Sequence, residues 1–140
     1  MIEYTGPYSL ENGTISSAGY DLRVERVADR SKCTIRAYFG IHLNMEPHKG
    51  IYAQLQPRSS ISKYGLLALT TPGIIDNDYT GELVQDYFMY DPSLLTRKEI
   101  VGKKIAQLTF HVEPFGPDAL SRVNTLSTTT ERGSHGSTGD

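Results

Sequence analysis

Apolar residues recur at every second position over three separate stretches. Tyr20, Leu22 and Val24 alternate with Asp21, Arg23 and Glu25; Ile51, Ala53 and Leu55 alternate with Tyr52, Gln54 and Gln56. Ala106, Leu108, Phe110 and Val112 alternate with Gln107, Thr109 and His111. A strand turns successive side chains to opposite faces, so each run predicts a half-buried β-strand. Turn signals separate the runs: Asn12-Gly13, which suits a two-residue hairpin, PHKG at 47–50, TPG at 71–73 and DYTG at 78–81. One short helix is predicted over 92–100, where SLLTRKEI follows an Asp-Pro start. Many short strands at near-regular spacing make an all-β barrel or sandwich. The last alternating run ends near Pro114, which predicts a β-barrel domain over residues 1–115 and a C-terminal arm over 116–140 outside the sheet.

Composition narrows the class. A 140-residue chain that is 38% hydrophobic buries roughly two-thirds of its unfolded surface, enough for one domain without metal or disulfide staples. Cys33 is the single cysteine, so no internal disulfide forms; it reads as a small buried hydrophobe on a strand. A reducing compartment is the simpler expectation: the cytoplasm, or a host-cell interior if the chain is viral. No window approaches the ~20 apolar residues of a membrane span, and MIEYTGPYSL lacks the basic-then-apolar order of a leader. The formal charge is -2, from 14 basic and 16 acidic residues. That argues against nonspecific nucleic-acid binding, which needs a broad basic face, and leaves room for a small anionic ligand held by a few donors.

The chain carries no GxxxxGK[ST] phosphate loop, GxGxxG, HExxH or CxxC pair, and its four histidines, His42, His48, His111 and His135, are too dispersed for a local metal motif. Five other segments carry chemistry. AGYDL (18–22) sets Asp21 off the apolar face of a strand. PRSSISKYG (57–65) places Arg58, Ser59 and Ser60 where a strand gives way to a turn: either a phosphate contact of guanidinium and hydroxyls, or a helix cap beside a surface arginine. GIIDNDYTGE (73–82) puts Asp76 and Asp78 on one face of an extended segment and Tyr79 on the other. Such a carboxylate pair serves as a general base, holds a metal, or merely tips an exposed hairpin. GKKIAQL (102–108) presents Gln107 opposite the buried row. RGSHGSTGD (132–140) is Gly/Ser-rich, as linkers are, yet its arginine, hydroxyls and backbone N–H groups also suit phosphate.

In this order and at about this spacing, the five segments resemble the five motifs of the dUTP pyrophosphatase (dUTPase) family, from about residue 18 to residue 140. The resemblance implies an all-β, jelly-roll-like β-barrel with a C-terminal arm, assembled as a homotrimer in which each active site draws on all three subunits. It implies hydrolysis of dUTP to dUMP and pyrophosphate by water attack on the α-phosphorus, with Mg2+ bound chiefly by the triphosphate. That reaction limits uracil in DNA and supplies dUMP. Asp76 then matches the general base, and Tyr79 the ring that packs on the deoxyribose and excludes a 2′-hydroxyl. Arg58, Ser59, Ser60 and Gln107 match phosphate contacts, and Asp21 sits near the metal's water shell. Backbone of Gly73, Ile74, Ile75 and Val84 would recognise uracil. Some relatives add an asparagine just before this segment; here the chain reads LTTPG, with Thr70 as an extra candidate. Arg132, His135, Gly136, Ser137 and Thr138 would wrap the phosphates and base. The arm departs from the usual RGxGGFGSTG by two fewer residues and by His135 at the aromatic position, and 81–102 is slightly long, which predicts a surface loop. The alternatives are a dUTP-binding regulator acting on a partner and a relative of the dCTP deaminases.

Overall fold

The computed structural model describes residues 1–94 and 97–127. Among them are nine strands: β1 (Glu3–Thr5), β2 (Tyr20–Arg23), β3 (Arg26–Asp29), β4 (Thr34–Asn44), β5 (Ile51–Pro57), β6 (Leu66–Ala68), β7 (Gly73–Ile75), β8 (Glu82–Met89) and β9 (Lys104–Val112). They form two antiparallel sheets. One runs β1-β4-β8-β6, with β3 also on β4; the other runs β2-β9-β5-β7. This is the expected all-β, jelly-roll arrangement, with both apolar faces turned inward. Leu22, Phe39, Ile41, Leu55, Leu83, Tyr87, Ile105 and Leu108 are among the side chains buried between the sheets.

The three alternating runs form β2, β5 and β9, which are adjacent in the second sheet. In the first sheet β4 is the hub. One of its edges pairs with β8, while the other is shared by β3 and β1. The register shifts between Tyr38 and His42, where Gly40 adopts φ +72°, a left-handed conformation that suits glycine.

Four expectations are corrected. Asn12 bridges Tyr20, so the chain makes a longer loop here than a two-residue hairpin; the Asn12 amide closes it by donating to Ser17 O and Gly19 O, both at 3.1 Å. Cys33 is exposed, in the bend between β3 and β4, because polar Arg30, Ser31 and Lys32 make that stretch a turn. The segment 81–102 opens as strand β8, whose inward row is Leu83, Gln85 and Tyr87. The helix expected over 92–100 is the single turn α1 (Arg97–Ile100). No helix of the described residues is long and apolar enough to cross a membrane.

Tyr8 ties the N-terminal segment to both sheets. Its hydroxyl donates to Phe39 O at 2.8 Å and accepts from Arg23 N at 2.9 Å. Burial, the largest cause, raises its pKa to about 12. The protonated hydroxyl is therefore the folded form, and its stabilisation is complete below about pH 10 and lost as pH rises through about 12. Tyr8→Phe leaves two backbone groups without this partner and is expected to lower unfolding free energy by about 1–2 kcal/mol at neutral pH. Denaturant melts of both proteins from pH 7 to 12 check this: the gap between them should narrow at the alkaline end.

Candidate active site

Strand pairing assembles the first group of functional side chains. Asp21 on β2 lies opposite Gln107 on β9, and Gln107 lies opposite Gln56 on β5. A Cβ at Gly19 would collide with Gln107 Oε1, so glycine there lets the amide lie close against the chain. Arg58 follows β5 directly. Its backbone N–H is fixed on Ile105 O at 2.9 Å, and its Nε comes to 3.6 Å of Asp21 Oδ1. Ser59 and Ser60 open a 3-10 helix, Ser59–Tyr64, with Arg58 in the capping position but making no side-chain cap. The 57–65 segment is thus a helical start, and its guanidinium is aimed across at the first motif.

The second group is built on the 73–84 segment. β7 pairs with β5 and β8 pairs with β4, so the two legs of this hairpin belong to different sheets. β6 pairs with β8 only at Tyr87–Met89, so no described ladder joins β7 to the first half of β8, and a slot lies between them. A cavity of about 150 Å³ is lined by Ile74, Ile75, Asp76, Tyr79 and Val84. A second, of about 260 Å³, shares Ile74, Ile75 and Val84 with it and extends to Gly73, Thr70 and Gln85. Tyr79 is held at the mouth: its hydroxyl donates to Glu82 O at 2.9 Å, and its ring lies over Gly81, where any Cβ would clash with it. Asp76 and Asp78 are both exposed, flanking half-buried Asn77.

Two anchors escape sequence reasoning. Asn77 Nδ2 donates to Met45 O, His48 O and Ile51 O at 3.1, 2.9 and 2.8 Å. Two carbonyls of the β4–β5 connection and one from the first residue of β5 thus hold the residue next to Asp76. On the other leg, Arg26 makes a two-pronged pair with Glu82, whose Oε2 also accepts Gly40 N at 2.9 Å. The guanidinium of Arg26 rests 4.0 Å above the Tyr38 ring. For Asn77 the available signal is a polar residue on the half-buried row of Gly73 and Ile75, a position tolerated when it is hydrogen-bonded. Arg26 and Glu82 carry no such signal, since neither is on a buried row.

Arg36 and Asp86 face each other across β4 and β8, on the outward rows of those strands, and contribute to the lining of the larger cavity. Arg36 Nε and Nη2 donate to the two carboxylate oxygens at 2.8 and 3.1 Å. Those bonds hold the Asp86 carboxyl below its ordinary value. The pair's stabilisation is present above about pH 4 and is lost as pH falls through the lowered folded value. Asp86→Asn is therefore expected to melt below the parent at pH 6 and to converge with it toward pH 2–3; parallel curves at every pH would remove this assignment.

The sequence-predicted residues fall into two places. Asp21, Arg58, Ser59, Ser60 and Gln107 cluster beside β2 and β9; Thr70, Gly73, Ile74, Ile75, Asp76, Tyr79 and Val84 surround the slot beyond β7. β2 and β7 are the outer strands of one sheet, with β9 and β5 between them. At ~4.8 Å per strand Asp21 is about 14 Å from β7 across the sheet. Arg58 follows the strand next to β7, but Ala53 pairs with Ile75 and Leu55 with Gly73, so Asp76 lies about 20 Å from it along the strand direction. Among the described residues no hydrogen bond or ion pair links them. Arg132, His135, Gly136, Ser137 and Thr138 lie outside the described residues.

Known proteins of the same kind are identifiable. A family model described as dUTPase matches residues 9–139. The deoxyuridine 5'-triphosphate nucleotidohydrolase of Brucella melitensis biotype 2 is 34% identical over 131 residues, which cover 90% of this chain and 81% of that protein. The enzyme of the same name from Mesorhizobium japonicum is 34% identical over 125 residues, covering 86% and 74%. Among solved structures, a point mutant of the dUTPase of phage 80alpha aligns with TM-score 0.75 at 19% identity, covering 98% of each chain. Native EIAV dUTPase aligns with TM-score 0.66 at 24% identity, covering 90% of this chain and 100% of that one. The structural likenesses carry the fold, and the sequence matches carry the relationship: the chain belongs to the dUTPase family.

Proposed function

We propose that the chain hydrolyses dUTP to dUMP and pyrophosphate, with Asp76 as general base, in a homotrimer that completes each site. The observation that carries this reading is the slot between β7 and the first half of β8, which no described ladder closes, with Asp76 and Tyr79 lining it. Strand edges offer donors and acceptors in the plane of an inserted base, and the close walls at Gly73, Ile74, Ile75 and Val84 leave little room for a C5-methyl group. Tyr79 packs on the deoxyribose, where its ring excludes a 2′-hydroxyl.

Asp76 then accepts a proton from water as the water oxygen bonds to the α-phosphorus. The bond from that phosphorus to the α–β bridging oxygen breaks, and its electron pair leaves with pyrophosphate. Arg58, Ser59, Ser60 and Gln107 bind the phosphates. Because the register of β5 on β7 carries Asp76 about 20 Å along the strand direction from Arg58 in one chain, they act on a nucleotide held by a neighbouring subunit. Arg132, Gly136, Ser137 and Thr138 supply further phosphate donors, and His135 stacks on the base.

Magnesium fits this arrangement as an ion delivered on the nucleotide. Among the described residues no group of three His, Cys, Asp or Glu side chains could cage a metal; Asp21, which lies beside Arg58, would accept hydrogen bonds from the ion's water shell. Mg2+ keeps several waters and favours phosphate oxygens; bound there, it neutralises charge on the triphosphate. The protein works where the nucleotide pool is, in the cytoplasm or the interior of a host cell.

Pyrophosphate release from dUTP, dCTP, dTTP and UTP, with Mg2+ and with EDTA, tests the reading. Release from dUTP alone, abolished by EDTA, is the expected result. Silence on dUTP, or equal release from dCTP, would overturn it. Sedimentation at micromolar concentration should give a trimer, and a monomer that turns over dUTP at full rate would refute the shared site.

A further inference from the structure

We propose that Gln85 reads the C4 carbonyl of uracil and so sets this chain's preference for uracil over cytosine. The proposal rests on the dUTPase reading above and names a side chain for base selection where that reading invokes backbone.

Gln85 is the buried polar residue of β8, only 4% exposed, and it lines the larger cavity. Its orientation is fixed at both ends. Tyr87 Oη donates to Oε1 at 2.6 Å, and Nε2 donates to Thr70 O at 3.1 Å. A carbonyl oxygen can only accept, so the nitrogen end is the one that faces Thr70, which also lines the cavity. Nε2 carries two hydrogens, and the bond to Thr70 uses one; the other has no partner among the described hydrogen bonds.

The order of the two cavities sets which edge of the base meets it. Tyr79 and Asp76 line the smaller cavity, and Gln85 and Thr70 line the larger one; Ile74, Ile75 and Val84 are common to both. A nucleotide whose sugar rests on Tyr79 pushes its base inward from N1. C4 lies directly across the ring from N1, so the C4 substituent is the group that arrives at Gln85. In uracil, as in thymine, that substituent is an acceptor; in cytosine it is an amino donor.

Thr70 O accepts from the Gln85 amide, while Arg36 and Asp86 belong to the outward rows of their strands, on the other face of the sheet from Gln85. The side-chain donor that the buried row of β8 brings to this end of the cavity is therefore the Gln85 amide. A cytosine amine arriving there would meet donor with donor, leaving buried groups unpaired, which is the situation that discriminates most strongly.

The test compares kcat/KM for dUTP and dCTP in the full-length protein and in Gln85→Met, which keeps length and bulk but has no donor. The ratio is expected to fall about 10–100-fold, chiefly through KM for dUTP, because Asp76 and the chemistry are untouched. Gln85→Glu, which replaces a donor with an acceptor, should lower the ratio further. A ratio unchanged within about 3-fold in a variant that melts like the parent would overturn the proposal while leaving the dUTPase reading intact. If the unsubstituted protein does not release pyrophosphate from dUTP, both fall. Where the variants fail to fold, a crystal structure of the unsubstituted protein with dUMP decides. Gln85 Nε2 within about 3.2 Å of O4 supports the proposal, and O4 beyond hydrogen-bond reach, or O2 in its place, overturns it.

Discussion

Asp76→Asn is expected to lower kcat on dUTP by about 10²–10⁴-fold while changing dUTP affinity little. Asparagine has the same shape but cannot take a proton from the attacking water. The substitution should leave the site otherwise intact. Among the described residues the Asp76 carboxylate makes no side-chain hydrogen bond or ion pair; its backbone carbonyl holds the turn by accepting Tyr79 N at 3.0 Å, and that bond is indifferent to the side chain. The slot walls, the Tyr79–Glu82 contact and the Asn77 anchor are likewise untouched. Single-turnover hydrolysis alongside equilibrium binding of dUTP separates the two quantities. If affinity collapsed and turnover per bound nucleotide survived, Asp76 would be a binding group and the base would lie elsewhere.

The parts of this molecule that can be read from sequence are those whose partners are close in the chain or whose pattern is uninterrupted. β2, β5 and β9 alternate cleanly because each turns one face to the core. β8 is hidden by Gln85, a polar residue in the buried row, which reads as a break in alternation until its partners Tyr87 and Thr70 are seen. In β4 the inward residues Ile35, Ala37, Phe39, Ile41 and Leu43 do alternate, but Gly40 interrupts the run as a turn residue would. A free cysteine is usually buried, yet around Cys33 the polar Arg30, Ser31 and Lys32 outweigh that preference. At the site, the segment 73–82 announces its carboxylates and its tyrosine by spacing. What positions them does not show, because those contacts join distant stretches: Arg26 reaches Glu82 across 56 residues, and Asn77 reaches back 26 to 32 residues. The separation of Arg58 from Asp76 is likewise a property of register, which no local pattern encodes: Leu55 pairs with Gly73 and Ala53 with Ile75, so the chain approaches Asp76 while moving away from the Arg58 end of β5.

Asn77→Ala is the second large effect, expected to lower stability by about 2–3 kcal/mol and kcat by about 10–100-fold, with a smaller change in KM. One amide nitrogen serves three backbone carbonyls, at Met45, His48 and Ile51, and alanine withdraws it from all of them. Each such bond contributes about 0.5–1.5 kcal/mol net, and the half-buried carbonyls are only partly rehydrated when it is lost. The catalytic loss has a different origin. Asp76 is covalently adjacent to this anchor, and a shift of about 1 Å in a reacting group lowers a rate by about 10²-fold. A merely structural role and a positioning role predict different behaviour in combination. If Asn77 acts through Asp76, then Asn77→Ala has little further effect on kcat once Asp76→Asn is present, although it still lowers the melting temperature by the same amount. If instead kcat falls equally in both backgrounds, the anchor supports catalysis by some route other than the general base. The two melting curves then fix how much of the loss is unfolding, since the stability increments of the two substitutions add only when the carboxylate and its neighbour do not depend on each other.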